Sequence, residues 1–349
     1  MINVLVIDDS AVMRTFLSQV INAQPDMRLA GVVSDPLLAI ERIRRTAPDV
    51  ITLDVEMPRM NGLDFLRKLM AVRPLPVLMI SSLTQEGADA TFRALELGAV
   101  DFFPKPASLD ELARVSQDIA EKIRAAAQAR VVRASAGSQL LPAPAAPQRP
   151  RGRMAVGTII GIGASTGGVE ALRAILTELP AQMPPILMAQ HMLPGFTETF
   201  ARRLDAISAL SVRQACDGDE AVEGTVYVAP GGRHLLLARE SGRYLLRVTD
   251  DAAVNRHRPS VDALFMSMAR TAGAQAIGLL MTGMGADGAE GLLAMRHAGA
   301  ITLAQDEASS IVFGMPRQAI ALGAAQEVIG LSQVAGRLRA LTQQSSPGN

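Results

Sequence analysis

The chain has 349 residues, 49% hydrophobic and 19% charged, which is enough apolar material for two cores and a length typical of about two domains. Lys+Arg and Asp+Glu both number 34, so there is no basic surplus, and a nucleic-acid partner is not expected. A single cysteine, Cys216, excludes an internal disulfide framework, and no apolar run reaches the roughly 18 residues of a membrane span; a cytoplasmic chain without membrane insertion is expected.

The opening "MINVLVIDD" turns acidic after seven residues and reads as a buried strand rather than a leader. Then "AVMRTFLSQVI" carries Val12, Met13, Phe16, Leu17, Val20 and Ile21 at helical spacing. Strand-like "RLAGVV", a helix opened by Asp35-Pro36, and "DVITLD" follow. "GLDFLRKLM", "PVLMISS", "ADATFRALELG" and "VDFFPKP" continue the alternation. A last helix opens at Ser108, with Glu111 completing a capping box. Five strand–helix units imply a doubly wound parallel sheet with helices on both faces, a (βα)5 domain over residues 1–125.

Residues 126–153 form a linker. Its core "ASAGSQLLPAPAAPQRPRGR" holds four prolines and no acid, which makes an extended, semi-rigid tether. A second α/β domain, residues 154–345, begins with "TIIGIG" and "GGVEALRAILTEL". "PPILMAQH" and "TETFARRLDAI" follow, then short strands "TVYVAP", "HLLLA" and "YLLRV", the last two a hairpin turning at "ESGR". The helix "SVDALFMSMART", the strand "AIGLLMTG", a helix, "AITLAQD" and a final helix close a parallel-sheet hydrolase-like domain with an inserted β-hairpin.

Sites in open α/β sheets form at the carboxyl ends of strands. Asp8 and Asp9 end the first strand and Asp54 the third, so three carboxylates converge, and a hard cation such as Mg²⁺ relieves their repulsion. Lys105 and Ser81 reach the same rim. A metal, an ammonium and a nucleophilic carboxylate suit phosphoryl transfer to an aspartate. "VLVIDDS", "DVITLDVEMPRMNGLDFL", "ISS" and "FFPKP" resemble a two-component receiver domain. The resemblance implies Asp54 as the phosphorylated residue, and Asp8, Asp9, Asp54 and the Glu56 backbone as the Mg²⁺ site. It also implies Ser81 (Ser82 in the alternative register), Phe102 and Lys105 as switch residues. Pro104 before Lys105 departs from the usual pattern and stiffens that loop.

"IIGIGASTGG", residues 159–168, could cradle a dinucleotide or present a nucleophile. The dinucleotide pattern G-x-G-x-x-G fails at Thr166, and the next strand ends in Gln190-His191 instead of an acid. The overlapping G-x-S-x-G, filled by Gly163, Ser165 and Gly167, reads as a nucleophile elbow whose glycines allow a tight turn. His191 should lie beside Ser165, because sequential parallel strands are usually neighbours. Asp287, on the glycine-rich loop "TGMGADGAEG", is the candidate third member, the competing reading being an N-cap of the following helix. A Ser–His–Asp set is defined by geometry and not by order along the chain. The N–H of Met284 could point at a reacting oxygen. His257 and Arg258 line a cleft or face water; His234 and His297 read as structural, and Cys216 has no partner or motif as a nucleophile.

"GIGASTGG", "QHM", "HRPSVD" and "MTGMGADGAEG", behind a receiver, resemble the chemotaxis protein-glutamate methylesterases, the CheB family. The resemblance implies a phosphorylation-activated hydrolase that removes methyl esters from glutamates of chemoreceptors and deamidates receptor glutamines. It carries over Ser165 as nucleophile, His191 as base, Asp287 as orienting carboxylate, and Thr166 and Met284 around the oxyanion. "ADG" differs from the "NDG" of some members but keeps the carboxylate. The esterase site needs no cofactor. Implied partners are methyl-accepting chemoreceptors and a sensor histidine kinase, with the chain a monomer. The alternatives are a response regulator with a non-catalytic binding output domain and a dinucleotide-dependent enzyme.

Overall fold

The computed structural model describes residues 1–58, 60–82, 84–106, 109–131 and 157–343. The chain divides into two compact units, within residues 1–140 and 141–349.

The first unit alternates β1 (Ile2–Ile7), α1 (Ala11–Asn22), β2 (Met27–Val33), α2 (Pro36–Thr46), β3 (Val50–Asp54), α3 (Gly62–Val72), β4 (Val77–Ser81), α4 (Gln85–Glu96), β5 (Asp101–Pro104) and α5 (Leu109–Ala127). The sheet runs β2-β1-β3-β4-β5 with every pairing parallel. Its centre is apolar on both faces: Val4, Leu5, Val6, Ile51, Leu53, Leu78 and Met79 are fully buried. That continuous hydrophobic run is what a sheet covered on both sides requires. Helix starts follow the sequence. Ser10 caps α1, and Asp35 caps α2 with Pro36 in its first turn. The expected capping box at Ser108 lies outside the described residues, and α5 itself runs to Ala127.

The second unit comprises β6 (Ile159–Ala164), α6 (Gly168–Leu176), β7 (Ile186–Gln190), α7 (Thr197–Asp205), β8 (Ser211–Gln214), β9 (Thr225–Val228), β10 (His234–Glu240), β11 (Arg243–Thr249), α8 (Val261–Thr271), β12 (Ala276–Leu280), α9 (Ala289–His297), β13 (Ile301–Gln305), α10 (Met315–Ala321), β14 (Glu327–Ile329) and α11 (Leu331–Gln343). Seven strands form one parallel sheet ordered β14-β13-β12-β6-β7-β9-β8. β10 and β11 make the inserted antiparallel hairpin, turning at Ser241-Gly242, both with positive φ. Two edge strands, β8 and β14, and the seven-residue α10 go beyond the sequence reading. All three are too short to carry a periodic signal.

The chain leaves β6 toward β7 and later returns to β12 on β6's other side. This reversal opens a crevice at the carboxyl end of β6, where open α/β sheets place their sites. Helix α8 closes one face of the sheet with Val261, Leu264, Phe265 and Met268, all fully buried. Its close approach explains Gly163: a Cβ there would lie 2.1 Å from Val261 Cγ1. This glycine makes room for a helix. The turn belongs to Gly167, whose φ of +79° is costly for any residue with a side chain.

Candidate active site

Ser165 is the first residue after β6, His191 the first after β7, and Asp287 lies on the loop after β12. β12, β6 and β7 are adjacent strands, so their carboxyl ends bring the three side chains together. His191 Nδ1 is 3.1 Å from Ser165 Oγ, and its Nε2 is 2.7 Å from Asp287 Oδ2. The histidine and aspartate side chains are 8% and 1% exposed, so the pair is almost shielded from water. Ser165 is not among the positive-φ residues. The left-handed position of this turn is held by Gly167 instead.

Asp287 accepts five hydrogen bonds. Besides His191 they come from Asn255 Nδ2 (2.9 Å), Ser260 Oγ (2.7 Å), and the backbone N–H groups of Val261 (2.7 Å) and Asp262 (3.3 Å). Burial alone would raise its pKa. The bonds from His191, Asn255 and Ser260 outweigh burial and hold the carboxyl well below the usual range. The competing cap reading changes form. Asp287 does not cap α9, whose N-cap is Gly288 without a side-chain bond; it caps the first turn of α8.

Several supporting residues were not singled out from sequence. Gln190 donates from Nε2 to the carbonyls of Ser165 (3.0 Å) and His191 (3.2 Å), tying the two strand ends together. Asn255, Ser260 and Asp262 surround Asp287; burial pushes Asp262 up to about 6. All three sit in "NRHRPSVD", and their polarity around a helix start was the available signal. His257, expected to line a cleft or face water, stacks on His191 with ring centroids 3.8 Å apart. His234 is structural as expected: its Nδ1 accepts from Ser260 N–H and its Nε2 donates to the Ala252 carbonyl. Cys216 is exposed.

Around Ser165, its own N–H is already given to the Thr282 carbonyl at 3.0 Å. Thr166 is buried and Met284 half-buried. Met284 follows Gly283, where an added Cβ would lie 2.7 Å from Ser165 Cβ. The Met284 N–H has no hydrogen-bond partner among the described residues.

In the first unit, Ile7 pairs with Leu53, which sets Asp8 beside Asp54. Asp8, Asp9 and Asp54 each offer an oxygen within 4.8 Å of the others. Lys105 Nζ is 2.6 Å from Asp54 Oδ2 and 3.8 Å from Asp8 Oδ2. Burial and the neighbouring Asp8 charge push Asp54 up to about 7 in spite of that ammonium. Asp8 Oδ2 is buried without a hydrogen-bond partner. An orphaned carboxylate oxygen in an acidic, oxygen-only cluster fits a hard divalent cation. The Glu56 N–H binds Asp54 Oδ1 at 3.1 Å, and its side chain is exposed. The Ser81 hydroxyl turns away from the acids and donates to the Gly87 carbonyl at 3.0 Å, whereas Ser82 Oγ donates to Glu56 Oε1 at 3.1 Å. Phe102 is buried against Phe92, with Lys122 above its ring.

An acidic cluster beside a lysine in one unit and a hydrogen-bonded Ser–His–Asp series in the other are the features expected of a response regulator with a hydrolase output. Comparison with known proteins agrees. Residues 4–117 match the response regulator receiver domain and residues 160–338 match the CheB methylesterase domain. The chain belongs to the CheB methylesterase family. A Bordetella pertussis relative named protein-glutamate methylesterase/protein-glutamine glutaminase is 54% identical over 341 residues, 97% of this chain and 96% of its own. A Burkholderia lata relative of the same name, numbered 3, is 52% identical over 345 residues, 97% and 95% respectively. The crystal structure of the Thermotoga maritima CheB methylesterase catalytic domain superposes with a TM-score of 0.53 at 38% identity, covering 54% of this chain and 100% of its own. No helix among the described residues is long and apolar enough to cross a membrane.

Proposed function

We propose that this chain is a phosphorylation-regulated protein-glutamate methylesterase and protein-glutamine glutaminase acting on chemoreceptors. The observation that carries the reading is the hydrogen-bonded series Ser165 Oγ, His191, Asp287 at the carboxyl ends of three adjacent strands. With Asp287 ionised, the Nε2 proton of His191 is held on the carboxylate, which leaves Nδ1 free to accept the Ser165 proton. Ser165 Oγ attacks the ester carbonyl. The oxyanion lies toward the Met284 N–H and Thr166. The C–O bond to methanol breaks as His191 returns the proton to the leaving oxygen. Water, deprotonated by His191, then hydrolyses the acyl-serine and leaves glutamate. A glutamine side chain enters the same path and loses ammonia.

In the receiver, Asp54 would take a phosphoryl group from a sensor histidine kinase, its carboxylate oxygen attacking phosphorus as the P–N bond breaks. Asp8, Asp9, Asp54 and the Glu56 backbone carbonyl would hold Mg²⁺, which supplies charge neutralisation for the phosphoryl oxygens. Lys105 stays on the Asp54 side of the pocket as a fixed positive charge. Ser81 or Ser82, and Phe102, would carry the change outward; phosphorylation is read as activating.

Methanol release from a methylated receptor fragment tests the reading, with and without acetyl phosphate and Mg²⁺. Ser165→Ala should lose at least ~10³-fold in kcat. A wild-type chain that releases no methanol, or a Ser165→Ala chain that keeps its rate, would end it.

A further inference from the structure

Both ring nitrogens of His191 are committed in the ring plane, to Ser165 and to Asp287. Only its faces remain, and one of them is covered by His257, parallel within 14° at 3.8 Å. His257 ends a four-residue turn, Val254 to His257, closed by Val254 N–H to His257 O (3.1 Å) and His257 N–H to Val254 O (2.8 Å). The two central residues, Asn255 and Arg256, have φ of +52° and +66°. This is a type I′ turn made without glycine, and an arginine in the left-handed region is unfavourable. Such strain persists where the surroundings over-determine it. Here the turn is pinned at both functional ends. Its second residue sends one amide group to two buried carboxylates, Asn255 Nδ2 to Asp287 Oδ1 (2.9 Å) and to Asp262 Oδ2 (2.6 Å).

We infer that the Val254–His257 turn is a positioning clamp for the hydrolytic site, with Asn255 orienting Asp287 and the flat ring of His257 holding His191 in the plane that joins Ser165 to Asp287. The inference rests on the hydrolase reading above. A parallel ring stops His191 from rotating out of the Ser165–Asp287 line and keeps water off its face. It also lays π density against the imidazolium that forms when Ser165 is deprotonated, an arrangement that favours the cation. Asn255 does for the carboxylate what His257 does for the ring. Both residues act through Asp287 and His191, so their loss falls on kcat.

Three variants of the full chain test this: His257→Phe, His257→Leu and Asn255→Ala. The first two fill the same space, and only the first is flat. Each is assayed for kcat and KM on the methylated receptor fragment and for the acylation burst of Ser165 with an activated aryl ester, which needs no receptor contact. His257→Phe should keep kcat within about threefold of wild type. His257→Leu should lose roughly 10-fold in both kcat and burst rate, with KM unchanged. Asn255→Ala should lose about 10- to 100-fold in kcat, because a charged hydrogen bond to Asp287 is gone. Equal rates for the Phe and Leu variants, or losses confined to KM, would overturn the clamp. A wild-type kcat in Asn255→Ala would remove the carboxylate half of it. Ser165→Ala in the same series separates the two readings. If it too keeps the wild-type rate, the hydrolase reading has failed, and if it alone is inactive, only the clamp has.

Discussion

Replacing Asp287 with asparagine removes one charge and one acceptor while keeping the shape. Asp287 Oδ2 faces two donors, His191 Nε2 and the Val261 N–H, both at 2.7 Å. An amide nitrogen at that oxygen's place meets donors with a donor. His191 escapes by turning to the tautomer with its proton on Nδ1, which then points at Ser165 and can no longer accept its proton. If the other tautomer is kept, the imidazolium lacks its counter-charge. With charge centres about 4 Å apart and an effective dielectric of about 20, that interaction is worth roughly 4 kcal/mol, or about 10³ in rate. Either route gives a kcat loss of about 10³ to 10⁴ for Asp287→Asn. The Val261 N–H, also left facing a donor, costs about 1–3 kcal/mol of stability. Methanol release gives kcat, and circular dichroism melts confirm that the fold survives. A folded variant within tenfold of wild-type kcat would refute the orienting role of Asp287.

Asp54, raised to about 7 by burial and by Asp8, is costly to ionise in the fold. Its folded pKa lies above the unfolded value of about 3.9, so the receiver loses stability as pH rises from about 4 to about 7 and stays lower beyond. In EDTA, the receiver transition of the full chain should melt lower at pH 8 than at pH 5. Mg²⁺ or Asp54→Asn should shrink the gap, and calorimetry showing no change in it would contradict the pocket's electrostatics. Acetyl phosphate with Mg²⁺ should add one phosphoryl group at Asp54, checked by mass spectrometry; labelling elsewhere, or equal labelling in EDTA, is the adverse result. Gly167→Ala combines left-handed backbone strain with a Cβ 2.5 Å from Ile311 Cβ, so it should destabilise by about 2–4 kcal/mol and displace Ser165. An unchanged melting temperature would show that the turn tolerates a side chain at Gly167 in spite of its positive φ.

Much of the site was legible because parallel strands deliver their last residues to one rim. Asp8, Asp54, Ser165 and His191 all stand at or next to a strand's final residue, and strand ends are what apolar runs mark best. Asp287 was harder, since its loop is identified by glycines and not by a strand end. The rest was hidden for physical reasons. That Asp287 caps α8 is a contact across 26 residues, between Asp287 and Val261, and local cap rules look only three residues ahead. Gly163 looked like part of a turn because the helix it accommodates comes about a hundred residues later. The Ser81 hydroxyl's turn toward Gly87 is a rotamer choice with no trace in the spacing. β8 and β14 exist because a sheet edge offers them partners, β9 and β13.

The anchoring of Asp287 in the first turn of α8 ties chemistry to local opening. When that turn frays, Val261 and Asp262 withdraw their N–H groups, and the carboxylate bonded to His191 loses two of its five donors. On the proposed mechanism, an opened turn should therefore be a less active conformer of a folded protein. Amide exchange at these two positions counts the time the site spends disarmed, independently of any substrate. Local stability of one helix end then sets a ceiling on the fraction of molecules competent to react, and a change that tightens the turn raises that fraction without touching the reacting atoms.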